Sequence, residues 1–173
     1  MEFMEVIAKR RSVRSFKAEQ IKDSDLDKII LAGNAAPVGK GEYKLLQMTA
    51  VQDKEVLQKI SVAASKFLRV AQDPLYEAPT LIIISAIGMP EFEHIEYSNA
   101  ACIVENMLLA ATDCGLGSVY LMGIPLTLQN DNELKRDLGI FESFTPVAAL
   151  VVGYAKEDAT ERKLKRNITL TKV

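Results

Sequence analysis

Apolar residues recur along this chain at two periods, and the periods divide it into helices and strands. Phe3, Met4, Val6 and Ile7, interleaved with Glu2, Glu5 and Lys9, predict a short amphipathic helix running into Arg10. Asp23 or Ser24 can cap a second helix, whose face is Leu26, Ile29, Ile30 and Ala32-Gly33 and which stops before Pro37. Val38-Gly39-Lys40-Gly41-Glu42 reads as a loop, and Tyr43 to Gln52 alternates as a strand. Val56, Leu57, Ile60 and Ala64 give helical spacing over 54–68. The β-branched run Pro79–Ala86 predicts a strand covered on both faces. An acidic loop, Glu91 to Glu96, precedes a helix over Asn99–Cys114 that is apolar on nearly every side and so predicted to be buried on every side. Gly115-Leu116-Gly117 ends it. A strand over Ser118–Met122, a polar-faced helix over Leu128–Leu138 and a buried strand over Pro146–Tyr154 follow.

About four strands interleaved with helices make the chain α/β, an α+β sandwich in one domain over 1–173. The tail, 155–173, is basic and then alternates at Ile168 and Leu170. A late alternating segment of this kind can add a strand to another sheet edge. Together with the apolar helix it predicts a homodimer with an extended C-terminal arm.

Composition removes several classes. Across 173 residues and 19.1 kDa, 49% of positions are hydrophobic and 25% charged, ordinary for a soluble domain. A net charge of -2 argues against a general nucleic-acid binder. Cys102 and Cys114 form no Cys-x-x-Cys motif or Cys/His cluster, so neither a disulfide framework nor a metal site is expected, and both are read as small core residues. Charges at Glu2, Glu5 and Lys9 speak against a signal peptide, and the longest apolar runs are too short to span a bilayer. The expected setting is cytoplasmic. His94 is expected on the surface. Asn106, polar within an apolar helix, needs a partner and is read as structural, bonding across a dimer.

The densest chemistry lies in Arg10-Arg11-Ser12-Val13-Arg14-Ser15-Phe16, with three guanidinium groups and two hydroxyls. Guanidinium forks match phosphate oxygens, and serine adds a neutral donor. This stretch resembles the opening motif of the FMN-dependent nitroreductase family. Further segments match that family in order. They are Ala36-Pro37-Val38-Gly39, Glu105–Ala111 with Gly115-Leu116-Gly117-Ser118, Val119–Gly123, Val152-Gly153-Tyr154-Ala155 and the basic Arg162–Arg166.

The resemblance implies a central, mostly antiparallel sheet flanked by helices. It also implies a C-terminal arm exchanged in a homodimer, and FMN in the subunit interface with both subunits lining each site. By the same resemblance Arg10, Arg11 and Ser12 hold the FMN phosphate and ribityl end, and Arg14 lies nearer the N1/O2 edge of the ring. Pro37, Val38, Gly39 and Lys40 pass beside the ring, whereas Tyr43 reads as strand packing. Leu121 leads to Met122 and Gly123, whose backbone faces flavin N5. Lys165 and Arg166 return to the phosphate.

No catalytic side chain is implied, because the cofactor carries the electrons. The activity implied is NAD(P)H-driven, ping-pong hydride transfer to nitroaromatic, quinone or similar acceptors. The alternative is a flavin- or ligand-binding protein on the same fold, without turnover. One departure supports that alternative. The family loop continues Asn-x-Gln-Pro-Trp, where this chain has Gly41, Tyr43, Lys44 and Leu45. Lys40, the loop backbone or water could take the place of the missing amide. The chain is also short for the family.

Overall fold

A computed structural model of the chain describes residues 1–157 and 160–173; positions 158 and 159 of the expected arm lie outside the described residues. Among the described residues there are six α-helices: α1 Phe3–Lys9, α2 Asp23–Asn34, α3 Lys54–Leu68, α4 Ile95–Asp113, α5 Gly123–Gln129 and α6 Asn132–Asp137. Four strands, β1 Leu46–Val51, β2 Thr80–Ala86, β3 Gly117–Leu121 and β4 Thr145–Gly153, form one sheet in the order β1-β2-β4-β3. Every pairing in it is antiparallel.

The sheet is covered on both faces, which is why β2 and β4 read as unbroken apolar runs. Leu81, Ile83, Val119, Leu121, Ala149 and Val151 face one side, against Leu57 and Ile60 of α3, Ile124 and Leu128 of α5 and Leu134 of α6. Ile82, Ile84, Ala148, Leu150 and Val152 face the other side, against Ile29 of α2 and Ile103, Val104 and Met107 of α4. Alternate residues of the same strand therefore enter two separate cores. The result is an α+β sandwich about an antiparallel sheet, as the sequence predicts.

Several boundaries differ from expectation. Residues 43–45 form a 3-10 turn, so β1 starts at Leu46, and the Tyr43 hydroxyl donates to the Ala36 carbonyl (3.1 Å) in place of strand packing. Lys22, with no side-chain bond, precedes α2, so neither Asp23 nor Ser24 caps it. The acidic segment is shorter than predicted, since α4 begins at Ile95. The helix expected over 128–138 is two helices. The break falls where Asn130 ends α5 and the Asp131 carboxylate accepts from the Leu134 amide, a side-chain cap that starts a new helix.

Within one chain α4 is not buried all round. Tyr97, Ser98, Ala101, Cys102 and Glu105 are exposed along it, so Cys102 is a surface residue and only Cys114 is half-buried. Asn106 finds its partner inside the chain, donating to the Ala32 carbonyl at the end of α2 (3.1 Å). No helix is long and apolar enough to cross a membrane among the described residues.

Candidate functional site

β3 is one edge strand of the sheet, and the Arg10–Phe16 segment runs along its start. Arg10 closes α1, its amide donating to the Val6 carbonyl. Ser12 then bridges Ser118, with the Val13 amide donating to the Ser118 carbonyl (3.0 Å). Val13 fills the space beside Gly117 that a side chain there would need. Phe16, fully buried, pairs with Ala155 beyond the end of β4. These contacts fix the backbone of the segment, on which Arg10 and Arg11 are half-buried and Arg14 is exposed.

Arg11, Ser12, Arg14 and Ser15 line one shallow cleft of about 290 Å3 together with Glu157. Arg11 is shared with a larger neighbouring cleft of about 550 Å3, which also holds Lys9 and Lys17. Arg10 sits half-buried against α4, its Nε 3.2 Å from the Glu105 carboxylate. Lys9 donates to Glu5 (2.6 Å), which lowers the Glu5 carboxyl and raises the Lys9 ammonium from their ordinary ranges.

Pro37–Lys40 occupy another place, at the N-terminal end of α4. The Asn99 side chain accepts from the Gly39 amide (3.0 Å), and the Lys40 ammonium lies 4.7 Å from the centre of the Phe92 ring. Lys40 and Gly41 both take positive φ, and the space beside Gly41 is open. Asn99 and Glu105 are six residues apart on α4, about 9 Å along its axis. One helix thus carries both the loop and the Arg10 contact.

The third group is at the far end of β3. Leu121 is buried as the strand's last residue, Met122 is exposed and Gly123 opens α5. A cleft of about 260 Å3 there is lined by Met122, Gly123, Tyr76, Gln72 and Leu68. A Cβ on Gly123 would stand 2.6 Å from the Leu68 side chain, so glycine is what lets α3 end this close to the strand end.

Lys165 and Arg166 are exposed in the tail. The approach to them is not exposed chain alone, because Arg162 is held on α1 by two hydrogen bonds. Three residues that matter here have no role assigned from the sequence: Arg162, quoted only as the start of the basic tail segment, Asn99, which fixes the loop, and Glu157, which lines the arginine cleft. Asn99 carries a readable signal, an amide at the head of the apolar run Ala100–Val104. The other two do not, since their roles depend on where a coil segment returns. No group of three or more His, Cys, Asp or Glu that could hold a metal occurs among the described residues.

Comparison with known proteins follows the same outline. The model of the nitroreductase family matches residues 7–75 and 41–154. A protein of Archaeoglobus fulgidus, provisionally an NADH dehydrogenase/NAD(P)H nitroreductase, is 30% identical over 91% of this chain and 87% of its own. An FMN reductase [NAD(P)H] of Bacillus subtilis is 26% identical over 93% of this chain and 69% of its own. The solved structure of a nitroreductase with bound FMN from Bacteroides fragilis superposes with a TM-score of 0.83 at 30% identity, covering 99% of this chain and 100% of the other. This chain belongs to the nitroreductase family.

Proposed function

We propose that the protein is an FMN-dependent oxidoreductase. It takes electrons from NAD(P)H and passes them to a small acceptor such as a nitroaromatic or a quinone, and it works as a cytoplasmic homodimer with FMN at the subunit interface. The observation that carries this reading is the arrangement along β3. The arginine cluster stands at Ser118, and the Met122–Gly123 strand end stands four residues on, about 13 Å at the rise of an extended strand. That spacing is comparable with the reach of FMN from its phosphate to its ring. The donor set also suits the group. The Arg10 and Arg11 guanidiniums and the Ser12 hydroxyl are donor groups of the kind a phosphate takes, and the Arg14 guanidinium suits the developing charge of the ring edge.

Bound FMN would supply the hydride chemistry. The chain's own residues bind and tune. Arg10, Arg11 and Ser12, with Lys165 and Arg166 from the tail, hold the phosphate. Arg14 places positive charge toward the N1/O2 edge, where it stabilises the reduced ring and raises its potential. Pro37, Val38, Gly39 and Lys40 line the ring from the loop at α4. The backbone N–H groups of Met122 and Gly123 face N5, and no side-chain acid or base is required.

The test is direct. Purified protein should carry FMN, or accept about one per chain, and NAD(P)H under anaerobic conditions should bleach its visible absorbance. Equal affinity for FMN and riboflavin would remove the phosphate assignment. Flavin that binds but is never bleached would instead favour ligand binding without turnover, the reading to which the bare Gly41 lends weight.

A further inference from the structure

Helix α1 has seven residues, and its last carbonyls lack partners within the helix. Two of them are taken by one residue from the other end of the chain. The Arg162 amide donates to the Ala8 carbonyl (3.0 Å), and its guanidinium Nη2 donates to the Ile7 carbonyl (2.9 Å). The site is electrostatically apt, since a cation at a helix C-terminus meets the negative end of the dipole. Next to it, Glu161 lies 3.9 Å from the Lys9 ammonium. The tail is thereby fixed at 162, two residues from Arg10 on the α1 side and three from Lys165 on its own side.

We propose that Arg162 is a positioning residue that latches the tail onto the end of α1, so that Lys165 and Arg166 and the Arg10–Ser12 stretch close on one phosphate. The inference rests on the reading of that stretch as the FMN phosphate site. Three residues of extended chain span at most about 11 Å. Latched, the two lysine and arginine side chains are confined near α1, and released, they share the whole volume swept by a free tail. A phosphate bridging α1 and the tail therefore favours the latched state, and the latch favours the phosphate by the same factor. Among the described residues Lys163 and Leu164 make no hydrogen bond or ion pair to α1, and the exposed Glu161–Lys9 pair is long, so the two Arg162 hydrogen bonds set the register.

Three forms of the full chain test it: wild type, Arg162→Ala and Arg162→Lys. Each is stripped of flavin and titrated with FMN and with riboflavin, which lacks the phosphate. Separately, each is digested with chymotrypsin, which cuts after Leu164 and Leu170 and is indifferent to the substitution. In the wild type FMN binds more tightly than riboflavin, and FMN, unlike riboflavin, slows cleavage at Leu164. Arg162→Ala loses about tenfold in FMN affinity with riboflavin affinity unchanged, and its tail is cut quickly with or without FMN. Arg162→Lys, able to reach one carbonyl, recovers part of both effects. A loss shared equally by FMN and riboflavin makes Arg162 merely structural and overturns the proposal, as does unchanged FMN binding in Arg162→Ala. A wild type without preference for FMN overturns the phosphate reading itself, whatever the variants do.

Discussion

Arg14 is exposed and stands four residues beyond the Arg10–Glu105 pair, which makes its role separable from the phosphate grip. If its guanidinium serves the N1/O2 edge, Arg14→Gln keeps most FMN affinity yet lowers the flavin's reduction potential. Loss of about 1–2 kcal/mol of counter-charge in a two-electron couple is roughly 20–45 mV, measurable by potentiometric titration. Arg10→Ala should do the reverse. It removes a phosphate donor and leaves Glu105 without its partner, so FMN affinity falls by about tenfold to over a hundredfold, as for one charge-assisted bond, while riboflavin affinity holds. An unchanged potential in Arg14→Gln, with sharply weaker FMN binding, would move Arg14 to the phosphate and leave Lys40 as the charge nearest the ring. Both arginines are proposed from residue type and order alone. The counter-ion Glu105 was not readable in that way, because it is 95 positions away and only the packing of α1 beside α4 brings it near.

Helices and strands were readable where periodicity is strong and their caps are local. Asp53 shows the local case. Its carboxylate accepts from the Glu55 and Val56 amides (2.9 and 3.0 Å) at the start of α3. Asp53→Ala should cost about 1 kcal/mol, a fall of roughly 2–4 °C in Tm for a chain of this size. The split of α5 from α6 was missed because Asn130-Asp131 interrupts an apolar pattern that continues in phase on either side. The exposed face of α4 was missed for another reason. Ala101 and Cys102 are apolar by residue type, and only the place of α2 and the sheet decides which side of the helix they cover. That face gives a measurement. Cys114 is half-buried, and burial pushes its thiol above the ordinary range, so less thiolate is present at a given pH and alkylation is slow at every protein concentration. Cys102 is open in one chain. If α4 pairs with a second copy, it labels quickly at high dilution and slowly where the dimer is populated; labelling of Cys102 independent of concentration would place the dimer contact elsewhere.

One chain of this protein leaves a large amount of apolar surface unpaired. Phe3 and Met4 of α1 are 65% and 60% exposed, and Ile168 and Leu170 of the tail are 88% and 62% exposed. The tail is secured to its own domain at Arg162 and makes no strand among the described residues after it, so residues 167–173 are available to another surface. Single exposed apolar residues need no partner, but several on α1 and the tail together are what a proposed dimer interface would cover. The proposed homodimer, with each tail on the partner, would cover them, at about 1.5–3 kcal/mol for each large side chain fully buried. Removing Arg166–Val173 takes Ile168 and Leu170 from each of two tails. Even with most of that burial offset by the entropy of ordering the arm, the dimer should loosen by at least tenfold, and its Tm should depend on protein concentration over a range where the full chain's does not. Sedimentation equilibrium decides between the cases. The full chain should run at twice 19.1 kDa at micromolar concentration and the truncated chain as a mixture. A full chain that is a stable monomer there would mean that the tail finishes its own domain, and that the FMN site is built from one subunit.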